Sequence, residues 1–274
     1  MLTNYKFKKI KENIKEKLFL IKILFFVFLF FFIKLGLFYS LSPSGATSIT
    51  SNSNQTAPAD PPQAVSAVAG NVTEINIFGY STTQSWQGYY GNVTGVIELT
   101  DGNNKTLYNW SVISPKGEVY ASNHSSVVWT NIQCFNFTAN GTLCAEDSEN
   151  RGNTSQCGMN LTQLESAYNI NYDDVDGVDE TFNSQDHQLF YTNNLLFSSG
   201  ECRNTKIFDN TGNGVFEEVL LWSPDSKAVV FASLLKNNSI GFNGKTQDFE
   251  MLVLEDGHKE DVSISIYYFY VELN

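Results

Sequence analysis

Near its start this 274-residue chain carries an uncharged, apolar run, Ile23–Ile33 (ILFFVFLFFFI), bracketed by Lys22 and Lys34. Such a run reads as a signal for export or as a membrane anchor. Alone it makes roughly 16 Å of helix, about half a bilayer core. Read that way it is the core of a signal peptide, with Ser44-Gly45-Ala46 as a small-residue cleavage site. The wider window Leu18–Tyr39 is long enough to span. Lys22 and Lys34 then lie about one turn from its edges, where their stems can snorkel, and Tyr39 sits at the interface. The window exceeds a usual signal core, so a retained anchor over residues 18–41 is the expectation. Six lysines before residue 18 keep residues 1–17 in the cytoplasm and send the rest outside.

Charge divides the chain at the same place. Of its 17 basic and 29 acidic residues, eight lysines and two glutamates precede residue 47, leaving nine basic against 27 acidic groups beyond it. A basic tip on an acidic body suits a chain that crosses a membrane. The acidic body repels phosphate backbones, which argues against a nucleic-acid partner.

Residues 42–70 are rich in Ser, Thr, Ala and Pro and hold one charge, Asp60. That composition cannot bury a core and reads as a linker. Residues 71–274 form the expected extracellular domain. Asn-x-Ser/Thr sequons occur at Asn54, Asn71, Asn92, Asn104, Asn109, Asn123, Asn136, Asn140, Asn153, Asn160 and Asn237, all beyond the apolar segment. Part of that number reflects an Asn- and Thr-rich composition, but the one-sided placement agrees with export and glycosylation. Asn109, inside an apparent strand, is the site least expected to be used. Cys134, Cys144, Cys157 and Cys202 also fall in the body. An even number in an oxidising compartment reads as disulfides, with Cys134–Cys144 and Cys157–Cys202 the favoured pairing of three.

Strand signals dominate the body. Val72–Phe78 alternates, Val93–Thr100 and Thr106–Ile113 flank the turn Asp101-Gly102-Asn103-Asn104, and Glu118–Ala121 follows, as in an antiparallel meander. Val215–Ser223 and Ala228–Leu235 flank Ser223-Pro224-Asp225-Ser226, then come Phe249–Leu254 and the terminal Val262–Leu273, expected to be a central strand. One helix is expected, with Asn160 as N-cap and Leu161, Leu164 and Tyr168 on one face. The expected fold is mainly β, an antiparallel sandwich-like domain with one short helix and a cysteine-containing insertion around 134–202.

Three constellations could carry chemistry. Asp174, Asp176 and Asp179 lie in an acidic run with Gly177, which offers oxygen ligands for Ca²⁺, the one cofactor the sequence suggests. The full calcium-loop spacing is absent, and a solvated acidic loop is the plainer reading. Trp86, Tyr89 and Tyr90 stand among Gly88, Gly91 and Asn92 and could stack on a sugar ring, although aromatics at strand starts more often fill a core. His187 follows Asp186, with Ser184 nearby, but no nucleophile-elbow, zinc-protease or phosphate-loop motif is present. The chain therefore reads as non-enzymatic.

The phrases Trp86–Asn92 (WQGYYGN), Leu107–Trp110 (LYNW), Gly117–Ala121 (GEVYA), Phe216–Leu221 (FEEVLL), Thr246–Val253 (TQDFEMLV) and Tyr267–Leu273 (YYFYVEL) resemble a family of uncharacterised membrane-anchored or secreted surface proteins of archaea. The resemblance covers most of 72–274. It implies a cell-surface location, with partners among the membrane, other envelope proteins and glycans, and it brings no catalytic residues. A surface glycoprotein in adhesion, envelope structure or an appendage is the leading expectation. A carbohydrate-binding module comes second and a secreted hydrolase third.

Overall fold

A computed structural model describes residues 42–51, 53–137, 159–258 and 263–274. The chain divides into Met1–Ser40 and Leu41–Asn274. The expected anchor, 18–41, and the sequons Asn140 and Asn153 with Cys144 and Cys157 lie outside the described residues. Among the described residues no helix is long and apolar enough to cross a membrane.

The body is mainly β and antiparallel. Its strands are β1 (Ser44–Gly45), β2 (Trp86–Gly91), β3 (Gly95–Thr100), β4 (Thr106–Val112), β5 (Gly117–Ser122), β6 (Gln133–Cys134), β7 (Phe190–Thr192), β8 (Leu195–Phe197), β9 (Asn204–Phe208), β10 (Gly214–Ser223), β11 (Ala228–Leu234), β12 (Ser239–Ile240), β13 (Thr246–Gln247), β14 (Phe249–Leu254) and β15 (Tyr268–Leu273). The helices are α1 (Leu161–Ala167) and α2 (Val178–Thr181). A seven-stranded sheet runs β1-β15-β5-β11-β10-β6, with β9 also on β10.

The centre of that sheet is buried on both faces. Every residue of β11 is buried, and so are the last eight of β10. This explains why VFEEVLLW and AVVFASL are near-continuous apolar runs rather than alternating ones. On one face Val119, Ala121, Leu220, Trp222, Val229 and Phe231 pack against Met251, Val253 and Leu254 of β14 and against Leu161, Leu164, Val178 and Phe182. On the other, Tyr120, Val219, Leu221, Val230, Ala232 and Tyr270 meet Trp129, Ile132, Phe190, Phe197 and Cys202. Where a sandwich would place a second sheet, the first face is covered by the two-stranded β2–β14 pair and the two short helices.

Helix α1 follows its sequence signals. The Asn160 side chain accepts from the backbone N–H of Gln163, and Gln163 returns the bond to Asn160. Leu161 and Leu164 are buried.

Several expectations change. Val72–Phe78 forms no strand and is exposed throughout. Its alternation is real, but alternation alone does not make a strand; a strand also needs a partner edge to pair with. The expected meander dissolves likewise. β2 pairs with β14, β5 with β11 and β15, and of the strands expected in that meander only β3 and β4 pair as neighbours. The terminal strand is not central, because beyond β15 lies only the two-residue β1. β1 itself falls within the stretch read as a free linker, pairing Ser44 with Val271 and Gly45 with Tyr270.

Candidate interaction surface

The rings expected to form a stacking platform are separated. The Trp86 indole Nε1 donates to the carbonyl of Asp176 at 2.6 Å, and the ring packs 6.0 Å from that of Phe182. Tyr89 meets Phe269 edge-on at 5.1 Å. Both pack against the first core. Tyr90 stays exposed, edge-on to Phe242 at 4.9 Å, because strand alternation turns it away from Tyr89.

The acidic run does not converge. Asp174 accepts from the backbone N–H of Asn171 at 2.7 Å, Asp176 from the Thr83 hydroxyl at 2.5 Å, and Asp179 pairs with Arg203. Gly177 instead brings the chain to Glu165, whose carboxylate accepts from the Val178 N–H at the start of α2. Among the described residues no group of three His, Cys, Asp or Glu is placed to hold a metal.

The His187 and His124 rings bond backbone groups, while His258 lies 3.6 Å from the Asp256 carboxylate and 4.0 Å from that of Asp174. His187 is fully buried; its Nδ1 lies 2.7 Å from the Gln188 carbonyl, and its Nε2 accepts from the Cys202 N–H at 2.9 Å. These two bonds fix the ring as the Nδ1–H tautomer. His124 Nδ1 lies 3.3 Å from the Ser126 nitrogen and 3.1 Å from its carbonyl. Ser184 joins Asn204 through its backbone, not the His187 ring.

Cysteine pairing departs from the sequence expectation. Cys134 bonds Cys202, with Cα atoms 5.2 Å apart and a sequence separation of 68. Proximity along the chain favoured Cys134–Cys144. β6 pairing with β10 and the buried His187 clamp bring Cys202 to Cys134 instead.

Buried carboxyls are the feature that sequence reasoning missed. Glu118 and Glu272 face each other across β5–β15, both 4% exposed. Burial, reinforced by the Glu272 charge, pushes the Glu118 carboxyl up to about 8. Burial raises Glu272 as well. The Tyr120 hydroxyl donates to Glu272 at 3.2 Å and lies 3.0 Å from the Thr192 hydroxyl. The backbone N–H of Asn193 donates to Glu272 at 3.0 Å, and the Ser42 hydroxyl reaches the Asn193 side chain at 2.5 Å. The cluster thus ties the β7–β8 turn and the start of the described chain to the sheet. On the opposite face Glu218 is fully buried and accepts from the Leu252 N–H at 2.8 Å; burial holds its pKa well above the ordinary carboxyl range. Period-two alternation in GEVYAS placed Glu118, Tyr120 and Ser122 on one face. It gave no sign that a hairpin some 70 residues later would cover that face.

What the body displays is an amphipathic hairpin. In β3–β4, Ile97 lies opposite Trp110 and Leu99 opposite Tyr108, on one face. The Tyr108 and Trp110 rings are 4.9 Å apart. The other face carries Glu98 opposite Asn109 and Val96 opposite Ser111. The turn is fixed by Asp101, whose carboxylate accepts from the Asn103 and Lys105 N–H groups at 2.9 and 2.8 Å, with Asn104 at φ 59°. The sequon residue Asn109, expected to be the least usable, is exposed on the polar face. Asn54, Asn71, Asn92, Asn104, Asn123 and Asn237 are exposed, while Asn136 and Asn160 are half-buried.

No family model, no curated protein and no solved structure matches this chain.

Proposed function

We propose that the chain is a non-enzymatic surface glycoprotein, held in a membrane by residues 18–41 with its N-terminus inside, that works by binding through its outer β domain. The observation that carries the binding role is the β3–β4 hairpin, which turns Ile97, Leu99, Tyr108 and Trp110 to solvent on one face. Exposed apolar faces of this kind are characteristic of interaction sites. The location draws support from the charge asymmetry, from the sequons and cysteines beyond the apolar run, and from the Cys134–Cys202 bond, which suits an oxidising compartment. The resemblance to archaeal surface proteins points to the same envelope role in adhesion, structure or an appendage. Protease added to intact cells should remove the body and spare the residues before 18, and deglycosylation should lower its mass. A body protected in intact cells refutes the reading.

A second reading, glycan recognition, is favoured by Tyr90, which remains exposed beside Phe242. It predicts that Tyr90→Ala abolishes glycan-array binding while the fold is kept. Equal binding by the variant removes it.

A further inference from the structure

Among the described residues, β3–β4 pairs with no further strand and Val72–Phe78 pairs with none, and the two complement each other. The first is β3–β4. Ile97, Leu99, Tyr108 and Trp110 share one face yet are 43%, 52%, 59% and 51% exposed. A two-stranded hairpin on its own is marginally stable in water and gains from a third strand. Within Gly95–Thr100 the outer edge of β3 carries no proline or lysine; its one charge is Glu98, its ladder shifts register only at the last step, between Leu99 and Thr100, and the hairpin's one lysine, Lys105, is in the turn. The second feature is Val72–Phe78 (VTEINIF). It is β-prone, carries one charge and no Gly or Pro, and holds Ile75, Ile77 and Phe78 at 53%, 85% and 81% exposure.

We propose that the Val72–Phe78 segment of one copy adds as an antiparallel strand to the free edge of β3 in a second copy. The two isoleucines select the register, with Phe78 falling opposite Val96 on the other face. Ile75 lies opposite Leu99 and Ile77 opposite Ile97, so both isoleucines extend the Tyr108–Trp110 face. Glu74 then lies opposite Thr100 and Asn76 opposite Glu98, so no like charges face each other across the new pair. A slip by one residue would turn both isoleucines to the polar face.

Charge explains why a second copy can approach here. The body is strongly acidic, yet residues 63–114 hold only Glu74, Glu98, Asp101 and Lys105. Copies that repel elsewhere meet least repulsion where both partner elements lie. The exposed sequon residue Asn109 sits on the polar face, so sugar carried there leaves the apolar face clear. Each copy donates one segment and accepts one, so the contact can close into a swapped dimer or continue as a chain of copies.

This inference rests on the binding role of the hairpin. The test uses the full chain in detergent, labelled in two colours, with self-association read by energy transfer on dilution. Two variants alter only exposed positions: Ile75→Lys/Ile77→Lys disables the segment, and Ile97→Lys/Leu99→Lys disables the edge. Wild type should associate, and each variant alone should weaken at least about tenfold, the scale of an apolar side chain left in water. Mixing the two variants should restore one junction, because the edge-disabled copy still offers a segment to the segment-disabled copy. Wild type that stays monomeric overturns the proposal, as does a mixture that stays monomeric. A monomer still digested from intact cells overturns self-association alone and leaves the surface role standing.

Discussion

Replacing Glu118 by glutamine is expected to stabilise the fold at neutral pH. Glu118 is buried opposite Glu272, and its carboxyl is raised from 4.5 to about 8. Below about pH 4.5 the group is neutral both folded and unfolded, so burial carries no ionisation cost. As pH rises further the unfolded chain releases its proton while the folded chain retains it. Stability therefore falls by up to about 1.4 kcal/mol per pH unit until the pH passes the folded value of about 8. Over that window of roughly 3.5 units the loss reaches about 5 kcal/mol as an upper figure, comparable with the whole stability of many domains. Glutamine has nearly the same shape and never ionises, and its amide oxygen can keep the Tyr191 N–H bond that the carboxyl accepts. Urea unfolding of both proteins across about pH 4 to 8 measures the effect. The variant's advantage should be smallest at the acid end and grow to several kcal/mol near pH 8. A constant difference across the window, or a variant weaker than wild type near pH 8, refutes a neutral buried Glu118.

Removing the Cys134–Cys202 bond by double serine substitution frees a loop spanning 68 residues and should cost about 4 kcal/mol in the chain-entropy picture, read as a lowered urea midpoint. An unchanged midpoint would mean that the unfolded chain is already constrained by other means. Gly117→Ala should cost about 1–3 kcal/mol, since Gly117 sits at φ +113° and an added Cβ would fall 2.1 Å from the Glu272 carbonyl. Thermal unfolding checks this, and a wild-type midpoint would exclude that close approach. Phe182→Ala empties a fully buried site in the first core and should lose about 3–5 kcal/mol by urea unfolding; a loss under about 1 kcal/mol would contradict its packing there.

Much of the local structure was legible from the sequence. Asn160 three residues before Gln163 predicts the cap of α1, and each residue reaches only its own turn. Asp101-Gly102-Asn103-Asn104 predicts the β3–β4 turn, because Asp101 folds back on the N–H groups that follow it. The β7–β8 turn was also findable. Asn193 and Asn194 both take positive φ, the hairpin conformation that adjacent asparagines favour, but three-residue strands give too short a pattern to notice.

By itself, then, the sequence determined the elements whose causes lie within a few residues: the mainly β character, the tight turns, the one capped helix and the chain's division into a basic apolar start and an acidic body. Tertiary structure alone decided which strands lie side by side, that Cys134 meets Cys202, that Glu118 and Glu272 are sealed beneath a distant hairpin, and that Val72–Phe78 stays unpaired while Val215–Ser223 runs through the core. The physical reason is one of range. A turn or cap is satisfied by its own neighbours, whereas an edge, a buried carboxyl or a strand's two faces are completed by segments tens of residues away. The alternation that marks a strand is identical whether or not a partner arrives. The apolar face of β3–β4 is therefore written in the sequence, and only the fold leaves it open to solvent.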